Sequence, residues 1–419
     1  MISFIKNLLK KYFINGVFLG LPQLVSLAIT LVTFPIVLSR LNPEDYGVFQ
    51  FVLAIQVWFN ALSAEYSVQG SQSSMARGKD GTFIFSLFHR LKFIIPIGLI
   101  LLIISPFFYY FYNVKFAIIF FLMSLYFLIG YLPEVSYNNV FVAKKNFKQF
   151  SLWKIIDSIV IPIASAIAAY STANVLWFAV VHFTSTSLVG WAGTLYAVKK
   201  YNLWRAYKEN NIDTSVAGYG LKLIPSAFIL QVSNKITDFI IGPFFGFANL
   251  ALYAVANSME TRSRSLIKVV QLLIYPDFAR SKWTDLKNKI RSKLASAFFI
   301  SWIFVIFFAL LGYVYIFLFL PKFYLISGIY LIILLLGFPA KILQSILQTA
   351  FDSALKHKQM SYLLITPSIV KILMIIIFGF SFGIYGMLWG LTIFAWAHFI
   401  FTYIIFLKHD SSISNNSNI

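Results

Sequence analysis

Glu260, Arg262, Arg264 and Lys268 lie close together along a run of apolar sequence, and Glu260, Arg264 and Lys268 repeat at the four-residue spacing of one helix face. A guanidinium is a planar fork that meets two phosphate oxygens at once, so the chemistry this pattern offers is recognition of a phosphate or diphosphate. Glu260 can pair with Arg264 one turn away. The competing reading makes both arginines anchors whose long stems reach the membrane–water interface. Lys235 and Asp238 repeat the motif at i, i+3, as a plain ion pair or as a gate. Lys341 and Lys371 are two more cations inside apolar runs, and Lys371 lies mid-run, where snorkelling explains it least. Glu134, beside Pro133, is a carboxylate placed to take up a proton. His182 and His398 read as packing or hydrogen-bonding residues, because no second ligand stands at metal spacing.

Neutral polar groups accompany these charges at helical spacing. They are Gln23, Ser26, Thr30 and Thr33; Gln56, Asn60, Ser63 and Ser67; Gln231, Asn234 and Asp238; Asn257 with Glu260; and Lys341, Gln344 and Gln348. Two uses fit such stripes, the lining of a wet cavity and hydrogen bonding between helices.

The elements that must hold these residues follow from composition. The 419 residues are 59% hydrophobic and 11% charged, far from the roughly 25% charged typical of soluble domains. The chain reads as an all-α, polytopic membrane protein with about twelve spans of about 20 residues. The apolar runs are 13–38, 46–66, 83–108, 114–140, 150–171, 174–197, 218–241, 245–270, 294–318, 324–350, 361–380 and 384–407. Turn-like or charged breaks separate them. With no cysteine, disulfides, thiolate metal sites and cysteine nucleophiles are excluded. The opening MISFIKNLLKKYFINGVF reads as a basic amphipathic lead into the first span and not as a removed signal.

The net charge of +20 is strongly polarised along this layout. Twenty-seven of the 34 Lys and Arg, Arg90 among them, fall in alternate segments that include the N-terminus; three (Arg40, Lys115, Lys322) fall in the opposite breaks and four (Lys222, Lys235, Lys341, Lys371) inside runs. The positive-inside rule then puts both termini in the cytoplasm. It also accounts for the basic charge without nucleic acid. The tail 408–419 is polar and reads as cytoplasmic and disordered.

An internal echo suggests two halves. Asn42-x-x-x-Tyr46-Gly47-Val48 matches Asn249-x-x-x-Tyr253-Ala254-Val255, KQFS at 148–151 matches KQMS at 358–361, and Trp177 matches Trp389. The nearly constant offset predicts a six-plus-six duplication, a parallel pseudo-repeat with a six-helix bundle over 1–210 and another over 211–407. The hinge residues Asn42 to Gly47 read as a turn and a helix start, with Glu44 and Asp45 favoured there by the helix dipole.

The segments LSRLNPEDYGVFQF after the first run, IPSAFILQVSNKITDFIIGPFFGFANLALYAVA across the seventh and eighth, IYPDFARS and ALKHKQ resemble the oligosaccharide flippases of the multidrug/oligosaccharidyl-lipid/polysaccharide exporter superfamily. Among its branches the chain is similar to the Wzx type, the O-antigen repeat-unit flippases. The resemblance implies a V-shaped pair of six-helix bundles around a cationic cavity lined by spans 1, 2, 7 and 8. It implies a bacterial inner-membrane protein that turns an undecaprenyl-diphosphate-linked oligosaccharide to the periplasmic leaflet by alternating access, alongside other polysaccharide-assembly membrane proteins. Arg264, Lys235 and Arg262 would meet the diphosphate, with Lys371 or Lys341 from the second half. Gln23, Asn60 and Asn257 would meet the sugars, and Asp238, Glu260 and Glu134 would gate or couple. No cofactor is implied, and a proton or sodium gradient is the expected drive.

Rival readings are weaker on the same residues. A multidrug exporter of cations needs acidic cavity groups, whereas the charge inside the runs here is mixed to basic. A major-facilitator transporter would carry G-x-x-x-D-R-x-G-R after span 2, and SSMARGKDG matches it poorly. A membrane glycosyltransferase or polymerase needs a sizeable external loop for a catalytic acid, and no outward break is long enough. HExxH, Walker A and GxSxG motifs are all missing.

Overall fold

A computed structural model describes the backbone of residues 2–132, 136–280, 283–353 and 357–408; side chains are described outside 2–17, 19, 111, 219, 265–280, 352–353, 357–362 and 364. Among the described residues all regular structure is helical, as a chain that must satisfy its backbone within apolar runs requires. It divides into two compact units, Met1–Ala251 and Leu252–Ile419.

The first unit contains α1 (Ile2–Arg40), α2 (Pro43–Leu62), α3 (Glu65–Ala76), α4 (Thr82–Ile104), α5 (Phe107–Phe111), α6 (Val114–Ile129), α7 (Ser136–Ala143), α8 (Phe147–Thr172), α9 (Val175–Lys200), α10 (Leu203–Lys208) and α11 (Ser215–Ile240). A π-helical turn, Ile241–Phe245, leads into α12 (Phe247–Arg280), within which the second unit begins. There follow α13 (Trp283–Phe319), α14 (Leu325–Leu336), α15 (Phe338–Ser353) and α16 (His357–Lys408). α16 is two helices joined at Gly383, whose φ of 65° only glycine adopts readily. The expected boundary at 210/211 lies well before this division, because α11 packs along α2 and α3.

Seven helices among the described residues are long and apolar enough to cross a membrane, or up to nine if each bent pair is one span. The bent pairs are α2 with α3, at 55°, and the segments flanking Gly337, at 42°. The expected runs 361–380 and 384–407 lie within α16, and 114–140 is divided where α6 ends.

The polar breaks start helices by one device. Asn42, Asn113, Asn146 and Asn174 each accept a backbone N–H, from Glu44, Phe116, Gln149 and Leu176, at the first turns of α2, α6, α8 and α9. Such a cap satisfies a donor that the helix itself leaves unbonded. Asp45 pairs with Lys115 at 2.8 Å. Gly47 is required by packing, since a Cβ there would overlap the Phe247 carbonyl. The echo of this hinge is partial, because Asn249 donates from Nδ2 to the Phe245 carbonyl at 2.6 Å instead of accepting an N–H.

Interrupted helices expose carbonyls, and tryptophans take them up. α6 ends at Ile129, and Trp191 Nε1 of α9 donates to the Ile129 carbonyl at 2.9 Å. In the second unit Trp396 Nε1 of α16 donates to the Leu336 carbonyl at 3.2 Å, beside the α14–α15 break.

Candidate functional site

In the second unit the charges converge on Glu260 of α12. Its side chain is 1% exposed, so an ionised carboxylate there needs close partners. Lys341 Nζ of α15 donates to Oε1 at 3.0 Å, and Arg264 Nη2 donates to Oε2 at 3.4 Å. Lys371 of α16 adds an attractive charge. Three cations therefore act on one carboxylate. Arg264 is the loosest and most accessible of the two bonded partners, with 44% of its side chain exposed against 24% for Lys341. Arg262, half-buried, donates from Nε to Ser258 Oγ at 3.4 Å. Asn257 is half-buried on the preceding turn. His398 Nε2 and Gln344 Nε2 approach to 3.3 Å.

In the first unit Lys235 donates to Asp238 Oδ2 at 2.8 Å along α11, and Asp238 is 6% exposed. Gln23 is exposed on α1. Asn60 lies half-buried near the end of α2, and its Oδ1 is buried without a partner. Glu134 lies outside the described residues. Three of the hydroxyl members of the stripes turn onto nearby carbonyls of their own chain segment. Thr33 donates to Ile29, Ser63 to Asn60 and Ser67 to Ala64, all at carbonyls. Back-bonding of this kind removes a hydroxyl from any cavity lining. His182 meets Ser165 at 3.4 Å and packs edge-on to Phe49, a packing arrangement.

Two features of the first unit escape sequence reasoning. Arg90, counted above among the inward-segment charges, is instead 1% exposed within α4. Its guanidinium lies 4.4 Å over the Tyr131 ring, and it donates to Ser63 Oγ at 3.4 Å and to the Leu132 carbonyl at 3.3 Å. Nothing in a linear reading separates it from Lys92 two residues on.

The second feature is a pocket of about 840 Å³ between α3, α7 and residues 213–216. Glu65, Gln69, Gln72 and Ser73 line it from one face of α3, and Asn138 and Asn139 from α7. Away from the pocket the small, buried Ser67 lets α3 pack tightly on α11; a Cβ at Gly220 would come within 2.8 Å of it. A clasp closes one side. Asp213 accepts from Ser74 Oγ at 2.7 Å, Ser215 Oγ at 2.6 Å and Arg77 Nη2 at 3.1 Å, while its own N–H donates to Thr82 Oγ1 at 2.8 Å. Asn211 Nδ2 donates to the Gly78 carbonyl at 2.8 Å. The Ser215 and Ser74 hydroxyls, helped by the Arg77 charge, hold the Asp213 carboxyl below the usual carboxylate range.

A family model described as polysaccharide biosynthesis protein matches residues 37–327. No curated protein sequence matches the chain. Solved structures share its fold. An inward-facing multidrug resistance MATE family transporter of the MOP superfamily aligns with a TM-score of 0.68 at 15% identity, over 92% of this chain and 97% of that one. A MOP superfamily transporter from Pyrococcus furiosus, described as having a binding pocket of reverse polarity that suggests a different function, aligns at 0.66 and 15%, over 94% of each. A point mutant of the Vibrio cholerae MATE transporter VcmN aligns at 0.63 and 15%, over 96% and 97%.

Proposed function

Because the chain belongs to the polysaccharide biosynthesis protein family, we propose that it is a flippase for an undecaprenyl-diphosphate-linked oligosaccharide, moving it from the cytoplasmic to the periplasmic leaflet of a bacterial inner membrane by alternating access. The observation that carries the reading is the concentration of cations on Glu260. One carboxylate neutralises one cation, so the group keeps positive charge to offer a diphosphate. Arg264 is the member placed to leave. Its bond to Glu260 is the longer, its side chain is the more exposed, and its fork suits two phosphate oxygens. Lys341 stays on Glu260 and keeps that buried carboxylate paired while Arg264 is engaged. Lys235, held by Asp238, is the corresponding cation of the first unit. A cationic drug would meet repulsion at Arg264, which disfavours the multidrug reading. The MOP fold accommodates pockets of differing polarity, as the reported reverse-polarity pocket illustrates.

The test is made in cells lacking this gene. Lipid-linked oligosaccharide is expected to accumulate while surface polysaccharide is lost, and the wild-type gene to reverse both. The double variant Arg264→Ala/Lys235→Ala is expected to reach the membrane at wild-type level and to restore less than a tenth of the surface polysaccharide. Restoration by the double variant would remove these residues from the reading. Unchanged lipid-linked sugar together with new sensitivity to cationic drugs would replace the flippase with an exporter.

A further inference from the structure

The pocket between α3 and α7 has no part in the diphosphate chemistry, yet its lining is selective. Four carboxamides face it, Gln69, Gln72, Asn138 and Asn139. Four other asparagines of this unit, Asn42, Asn113, Asn146 and Asn174, are by contrast committed to the fold as helix caps. No side-chain hydrogen bond joins any of the four to another described residue. Asn138 is only 9% exposed, and its Oδ1 is buried with no partner. A buried polar oxygen left unbonded is destabilising, and such a group commonly marks where a ligand or water completes the site.

The chemistry of the lining names the ligand class. A carboxamide donates from nitrogen and accepts at oxygen, as a sugar hydroxyl also does both. Glu65 and Asp213 add acceptors, and Arg77 and Lys145 add donors. The four ionised groups cancel, and Arg77 is already held by Asp213 at 3.1 Å, so the pocket has no excess charge for a phosphate. Its volume of about 840 Å³ falls inside the roughly 300–1,000 Å³ of ordinary ligand pockets. We infer that this pocket is a carbohydrate subsite that receives the oligosaccharide, with Gln69, Gln72, Asn138 and Asn139 reading its hydroxyls. The inference rests on the flippase reading and assigns the sugar part of the substrate to this pocket of the first unit. Among the described residues no aromatic ring lines the pocket, so the sugar is held chiefly by hydrogen bonds and the free oligosaccharide binds weakly.

The test uses the purified full chain in detergent and two probes. One is undecaprenyl diphosphate without sugar. The other is the oligosaccharide released by mild acid from lipid-linked material of the deletion strain, followed by saturation-transfer NMR. Wild type is expected to bind both. Gln69→Ala/Gln72→Ala, on the accessible face of α3, is expected to lose at least tenfold in affinity for the oligosaccharide and to bind undecaprenyl diphosphate as wild type does, which also certifies its fold. Asn138→Asp, which keeps the shape but removes the amide donor, is expected to lose severalfold. Wild-type sugar binding by both variants would overturn the subsite and leave the flippase reading standing. Wild type binding the diphosphate but not the free sugar would also overturn the subsite. Wild type binding neither probe, or a deletion strain with no accumulated lipid-linked sugar, would overturn the subsite together with the flippase reading.

Discussion

Arg90 shows what one side chain must satisfy to be buried in this protein. A guanidinium in an apolar interior is tolerated when neutral acceptors and a π-face replace water. The acceptors exist because α6 ends at Ile129 and leaves the Leu132 carbonyl free for Arg90 and for Ser136 Oγ, at 3.3 and 2.9 Å. The arginine thus joins α4 to the interrupted strand of chain between α6 and α7. Arg90→Ala removes the ring contact, the bond to the carbonyl and the packing together, and is expected to cost roughly 2–4 kcal/mol. Arg90→Met keeps most of the volume and buries no charge, so it is expected to lose less. Thermal unfolding in detergent measures both, and an Arg90→Ala protein as stable as wild type would show that the guanidinium holds nothing together. The sequence conceals this residue because a charge near the start of an apolar run looks the same whether it points to water or inward. Glu260 was legible for the opposite reason. It stands far from any break, with Arg264 one turn away, and only its second partner, Lys341, needed the fold to be seen.

At the scale of elements, several of the breaks between apolar runs were readable because they carry an asparagine or a glycine with a local task. Asn42 caps α2, and Gly383 divides α16. What the breaks do over long range was not readable. The stretch 198–217 reads as a linker, yet it contains α10 and the Asp213 clasp, which binds serine, threonine and arginine side chains from 74–82. That clasp titrates. The Asp213 carboxyl is held below its ordinary value in the folded protein, so its contribution is complete above the unfolded value of about 3.9. It is lost as pH falls through the lower folded value. Hydrogen exchange at the Asp213 and Ser215 amides, corrected for intrinsic rates, is expected to stay protected down to about pH 4 and to open below it. Asp213→Asn is expected to exchange about three- to fivefold faster already at neutral pH, the modest effect of a largely exposed ion pair. Protection that ignores both pH and the substitution would mean that the backbone bonds alone secure the segment. Two tryptophan bonds at helix breaks resemble one another across the two units. Trp191 to Ile129 and Trp396 to Leu336 are offset by 205 and 207 residues, and each joins a long helix, α9 or α16, to the end of an interrupted one.

For the whole molecule, the proposed sugar pocket makes sense only if its end of the first unit faces the compartment where the substrate is made. The carboxamide pocket lies at the end of the first unit that carries Arg77, Lys79, Lys144 and Lys145. In the orientation proposed from the charge bias that end faces the cytoplasm, because cations flanking short loops resist translocation. The opposite breaks carry only Arg40, Lys115 and Lys322. Arg40 is itself occupied, with its guanidinium 4.4 Å over the Tyr170 ring. A chain with no cysteine makes the orientation directly measurable, since one introduced thiol is then the sole target of a maleimide. Lys115→Cys and Lys322→Cys are expected to react with a membrane-impermeant maleimide on intact spheroplasts. Lys79→Cys and Lys289→Cys, at exposed positions in the basic segments, are expected to react only after permeabilisation. The reverse pattern would turn the pocket outward. A sugar subsite facing away from the site of synthesis cannot load substrate, so that single result would dismiss the proposed direction of transport along with the topology.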